Sequence, residues 1–301
     1  MFNIFKKKKK WVRFYCLTPG IKELHPWIPA VKLKRKWQID AIKKHSTKEN
    51  KCPVLKVNRM WDYYMNRLQG GGEDERIDGL FAHAATCPAL SDLFRSGWVM
   101  TAPADILIKI HRGIPPGGDK EITTFNWVVL SDVNQGNDFV KAHIPEQTDG
   151  MRQLVDQQKE ILDTTIKLEL PWRVQSHPDI VFLQIPVPYW DEDRFTVPTG
   201  IVDTSYSYEV NLQMFWHKID DNSHLIKAGT PLCQWIPIEK KYLDNNQFDV
   251  IIEDANQHDI DNNRVMDYAR YMNFIQDTTL KGRIENNKYI LSLNKNNERF
   301  N

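Results

Sequence analysis

Beyond Pro171 the chain breaks into seven short strand-like runs, at 172–175, 180–185, 195–197, 200–202, 206–217, 231–236 and 248–252. Seven such runs within about 80 residues, separated by Pro, Gly, Asn and Asp, leave little room for crossover helices. An antiparallel sandwich or a barrel-like β domain follows. The aromatic content agrees, because 10 Trp, 10 Tyr and 13 Phe fill a half-buried pleated surface better than a helix face.

The first half mixes both periodicities. Residues 11–17 alternate as a strand that Thr18-Pro19-Gly20 closes, and the prolines of His25-Pro26-Trp27-Ile28-Pro29 favour extended chain. Trp37, Ile39 and Ile42 mark a short amphipathic segment, and Met60, Tyr64 and Leu68 recur at helical spacing. Cys87-Pro88 opens a helix that Gly97 can terminate, and strands are expected at 98–101, 105–111 and 123–130. A helix is expected near 149–163 from Met151, Leu154, Val155, Gln158, Ile161 and Leu162. Another follows Asp261, placed to cap a face of Val265, Tyr268, Ala269, Met272 and Ile275. The expected class is β-rich α+β with a few peripheral helices. Four regions follow: a basic arm 1–11, an α+β region 12–148, a β-rich core 149–255, and a C-terminal helix with a polar tail 256–301. Any boundary between domains is expected near 145–165.

Charge and cysteine usage exclude several classes. Formal charge is +1, from 40 basic and 39 acidic residues, so no whole-molecule attraction to nucleic acid or membrane is expected. The exception is the run Lys6–Lys10, an arm suited to an acidic partner. Cys16, Cys52, Cys87 and Cys233 form no C-x-x-C pair, so neither a zinc knuckle nor a redox dithiol is visible. No secretory signal follows the basic start, and no run of 18 apolar residues spans a membrane. Host cytoplasm or a virion is the expected compartment.

Few residues group into chemistry. Gly70-Gly71-Gly72 lacks the Gly-Lys-Ser/Thr that a phosphate cradle requires. His177-Pro178-Asp179 has the H-x-D spacing of an iron(II) facial triad that His217 or His258 would complete, yet Pro178-Asp179 is also ordinary turn chemistry. The turn is the expected reading, with no metal, and His217 and His258 are expected on solvated loop edges. Asp203 stands at the end of one strand, with Tyr206 three residues on.

The stretch Gly200-Ile201-Val202-Asp203-Thr204-Ser205-Tyr206, with the later Gly229-Thr230-Pro231-Leu232-Cys233-Gln234, resembles the hairpin of the trimeric dUTPase and dCTP deaminase superfamily. The resemblance covers 199–238, and it implies a β-clip-like core as the alternative to a sandwich. It implies a nucleotide held by Gly200, Asp203, Tyr206 and Gln234, with Asp203 orienting a water toward the α-phosphate and the Tyr206 ring packing on deoxyribose. It also implies a trimer, and Mg as cofactor if a nucleotide binds. The phosphate-binding parts of that superfamily are missing. Strand 180–185 leads into Pro186-Val187-Pro188-Tyr189-Trp190 with no Arg or Ser, Tyr208 stands where a glycine is usual, and the Asn-rich tail has only Gly282. Without cations to neutralise phosphate oxygens, pyrophosphate cleavage is not expected.

A wider set of phrases resembles an uncharacterised family of tailed, chiefly marine, bacteriophage proteins with bacterial relatives. These are Arg13-Phe14-Tyr15-Cys16-Leu17-Thr18-Pro19-Gly20, Cys87-Pro88-Ala89-Leu90-Ser91-Asp92, Ala102-Pro103-Ala104-Asp105-Ile106, Pro171-Trp172-Arg173-Val174, Gly200-Ile201-Val202-Asp203-Thr204 and Gly229 to Gln234. The expected function is a phage-encoded, non-catalytic binding or assembly protein that self-associates, with a trimer as the specific expectation.

Overall fold

A computed structural model describes residues 9–45, 87–114, 116–130, 139–144, 147–151, 160–206 and 208–261. The chain divides into two compact units, one of residues 1–33 and 95–248, the other of 34–94 and 249–301. The expected helical spacing at 60–68, most of the helix near 149–163, the segment after 261 and Lys6 to Lys8 lie outside the described residues.

The first unit is a β-rich sandwich of antiparallel sheets, in the class expected. One sheet has the order β1 (Val12–Cys16), β7 (Ile166–Ser176), β11 (Tyr208–Trp216), β9 (Phe195–Thr196), with β6 (Val140–Ala142) also on β7. A second runs β10 (Gly200–Asp203), β8 (Ile180–Pro186), β13 (Pro231–Glu239), β3 (Trp98–Thr101), β2 (Ile28–Pro29). A third runs β12 (Ser223–Ile226), β4 (Asp105–Gly113), β5 (Ile122–Leu130).

Side-chain alternation explains the layering. Along β7 every second residue from Ile166 through Leu168, Leu170, Trp172 and Val174 to Ser176 is buried, and the residues between face outward. Val210, Leu212, Met214 and Trp216 of β11, Phe182 of β8 and Trp235 of β13 meet them in one core. Ile106, Ile108, Ile110 and Phe125 of the third sheet belong to the same core.

Two expectations change here. Strand β7 begins at Ile166 and runs straight through Pro171, which a proline in mid-sheet ordinarily forbids. The Pro171 carbonyl accepts from the N–H of Leu17, just past β1, and the Glu169 N–H donates to the carbonyl of Phe139 beside β6. The missing N–H therefore falls in the gap between β6 and β1, where neither neighbour needs it. Residues 248–252, expected as a strand, have no regular structure and no sheet partner among the described residues.

The first unit also carries a short helix, α1 (Ile21–Leu24). In the second unit, α2 (Lys36–His45) forms where Trp37 and Ile39 indicated, and α3 (Pro88–Arg95) follows Cys87. The Trp37 ring meets Phe94 edge-on, and the buried Arg35 guanidinium lies over the same ring at 4.0 Å. The last described helix starts at 257 rather than after Asp261. Asn256 is its cap: Asn256 Oδ1 accepts from the Asp259 N–H, and Asp259 Oδ2 accepts from the Asn256 N–H.

Candidate functional site

Two of the candidate groups read from the sequence meet at one end of the sandwich. β7 turns into β8 through residues 177–179, and β10, after Asp203, leads by way of 204–206 to β11, so both connections cross between the first and second sheets. Strands β10 and β11 are therefore not a paired hairpin: β10 pairs with β8, and β11 with β7 and β9. Buried hydroxyls tie the two crossings together. Thr204 Oγ1 donates to Ser176 Oγ at 2.7 Å, Ser176 Oγ donates to the Ile180 carbonyl at 3.2 Å, and the Ser176 N–H donates to the Thr204 carbonyl. Inside the sandwich these groups have no water to bond, so each must satisfy another.

Around this knot every carboxylate faces a lysine. Asp203 Oδ2 stands 2.7 Å from Lys240 Nζ, and Asp203 Oδ1 accepts from the Ser205 N–H at 3.0 Å and from the Ser205 hydroxyl. Lys240 Nζ also donates to Ser205 Oγ at 3.0 Å. Lys10 lies 3.4 Å from Asp179 and 3.2 Å from Glu239, and Lys241 2.9 Å from Glu239. Partial burial opposes the charge on Asp203, but the hydrogen bonds from Lys240 and Ser205 together outweigh it and hold the carboxyl at about 2. A carboxylate so stabilised is a weak general base at neutral pH. Glu239 is likewise held below the ordinary carboxylate range by Lys241 and then Lys10.

The structure disperses the other sequence candidates. Asp203 is half exposed rather than turned inward, and Tyr206 is 83% exposed on the crossing, so its ring has no sugar-shaped wall behind it. Gly200 and Gln234 flank Gln184 and Ile185 farther along β8, away from Asp203. No atom would meet a Cβ at Gly200, so close backbone approach is not why that glycine is there. Gln234 is fully buried and donates from Nε2 to the Ser96 carbonyl at 2.7 Å, which fixes the turn into β3. Next to it Gly97 has φ +71°, and a Cβ there would stand 1.9 Å from the Trp235 carbonyl oxygen. The glycine that ends α3 thus also lets β13 come close.

His177 and Asp179 form a local turn. The Asp179 N–H donates to His177 Nδ1 at 3.3 Å, and that nitrogen lies 3.6 Å from the Asp179 carboxylate. Among the described residues no three His, Cys, Asp or Glu side chains gather as metal ligands would. His217, expected on a solvated edge, is buried, with Nε2 at 2.7 Å from Thr196 Oγ1. Cys233 is buried, which pushes its thiol well above the usual range. Ser176, Thr204, Ser205 and Lys240 were missed in the sequence. Lys240 is brought to Asp203 by the pairing of β13 and β10 on either side of β8, a register with no local signature.

Outside this end, the third sheet presents an apolar row. Leu225 of β12 pairs with Leu107 of β4, and Leu107 with Val128 of β5, on the face opposite Ile106, Ile108 and Ile110. Val128 and Leu130 are each half exposed. Among the described residues no helix is long and apolar enough to cross a membrane. No family model, curated protein or solved structure gives a significant match to the chain.

Proposed function

We propose that the chain is a non-catalytic binding or assembly protein of the phage-associated family it resembles, working as a homo-oligomer, with a trimer as the specific state. The observation that carries this reading is the outward row Leu225, Leu107 and Val128, with Leu130 beside it. Contiguous apolar side chains on a sheet face are the ordinary substrate of subunit packing. The state of Asp203 supports the non-catalytic part. Its carboxylate is committed to Lys240 and Ser205, and the nearby lysines Lys10 and Lys241 each face an acid rather than an open cleft that would take a phosphate.

Two measurements test it. Sedimentation velocity at micromolar concentration is expected to give one discrete species of three subunits, and a monomer would count against the reading. Thermal shift against a panel of deoxynucleotides with Mg²⁺ is expected to leave the melting temperature unchanged. A rise with dUTP or dCTP that Asp203→Asn abolishes would replace the reading with a nucleotide-binding one.

A further inference from the structure

Residues 249–255 have no regular secondary structure and, among the described residues, form no hydrogen bond and no ion pair. At their centre are three consecutive β-branched side chains, Val250, Ile251 and Ile252, exposed by 75%, 78% and 93%. Water contributes nothing favourable to such a run. β-Branched residues favour the strand conformation, and the backbone donors and acceptors of this stretch are available to an edge. Acids flank it at Asp249, Glu253 and Asp254.

The third sheet offers a matching edge. The Thr123 N–H leaves the sheet to donate to Asp163 at 2.7 Å, so odd-numbered residues of β5 direct their backbone groups away from β4. Phe125 and Val129 lie on that same edge, and no described residue bonds their backbone there. β5, Ile-Thr-Thr-Phe-Asn-Trp-Val-Val-Leu, carries no charge and no proline, the usual guards of an open edge. Lys109, paired with Asn126 from β4, is exposed and has no acidic partner among the described residues.

We infer that residues 249–255 of one copy add as an antiparallel strand to the β5 edge of a second copy. This rests on the self-associating reading and names its interface. Seating Ile251 opposite Val129 places Ile252 beside Val128, which extends the row Leu225, Leu107, Val128 by one strand. The same register brings Asp254 to Asn126, within reach of Lys109. Main-chain bonds supply affinity and the alternating side chains supply register. Donor and acceptor are different surfaces, so the contact is heterologous, and three such contacts close a ring.

The test is sedimentation equilibrium of the full chain with Ile252→Asp, with Val128→Lys, and with both. Each site is exposed, so far-UV circular dichroism is expected to stay unchanged. Each single variant is expected to weaken association on the order of 100-fold by placing an unpaired charge in the seam. The double variant is expected to recover most of it, because the two new charges then face each other. A wild-type monomer overturns the self-associating reading and this inference with it. An oligomer indifferent to both single variants overturns the strand addition alone and leaves self-association standing. Weakening without recovery in the double variant overturns the pairing of these two strands.

Discussion

Strand β7 and residues 249–255 are built from the same kinds of residue, and only one of them is a strand. β7 has neighbours on both edges and a core beneath it, and its even-numbered side chains are buried from Ile166 to Ser176. Val250, Ile251 and Ile252 have higher intrinsic β-propensity than much of β7, yet they are exposed and have no partner strand among the described residues. β7 even absorbs Pro171, because the donor it lacks falls between two neighbouring strands. Propensity therefore licenses a strand, and pairing makes it.

If that contrast is right, the largest loss comes from inside the sandwich. Trp172→Ala, which empties a buried indole of β7, is expected to destabilise by about 3–5 kcal/mol in urea melts. Gly97→Ala is expected to lose about 3 kcal/mol, since φ +71° strains any side chain and the new methyl strikes the Trp235 carbonyl. A loss under about 1 kcal/mol would mean that β13 gives way at this point. Thr204→Val keeps the shape but strips the hydroxyl from the buried pair with Ser176. A cost of about 1–2 kcal/mol is expected, and Ser176→Ala in addition should cost less than the sum of the two.

Asp203→Asn probes the polar end of the same sheets. The folded carboxyl is held at about 2, below its unfolded value near 3.9. Its contribution is complete above about pH 4 and disappears as the pH falls through 2. Half-exposed as it is, the pair is worth about 0.5 kcal/mol at pH 7. The variant and wild type are expected to converge in melts near pH 2, and a gap that persists there assigns the effect to something other than the charge. The smallest effect is expected at Ile252→Ser, within about 0.5 kcal/mol for the dissociated chain. A larger intrinsic loss would show that this stretch already packs within one copy, and the contrast with β7 would fail.

Much of the architecture was legible because period-2 alternation is local. The strands at 98–101, 123–130, 180–185 and 231–236 needed only their own residues to be recognised. β6, the four-residue β12 and the first half of β7 were not, since short runs and a central proline hide the pattern. The candidate site was half legible. Asp203 and His177 share an end of the sandwich because both stand where a strand leaves its sheet, but Lys240 and Ser205, which set the state of Asp203, carry no motif. Asn256 took the capping place expected of Asp261 because it has an acid three residues on to bond back to its own N–H.

Alternating apolar residues and frequent turn formers fixed an antiparallel, aromatic-lined class, since side-chain direction in a strand follows from chain geometry alone. Which strands became neighbours, and hence which lysine faces each acid, was decided by long-range register. That choice depends on burying Trp172, Trp216 and Trp235 together, and residues distant in sequence can report it only once they touch.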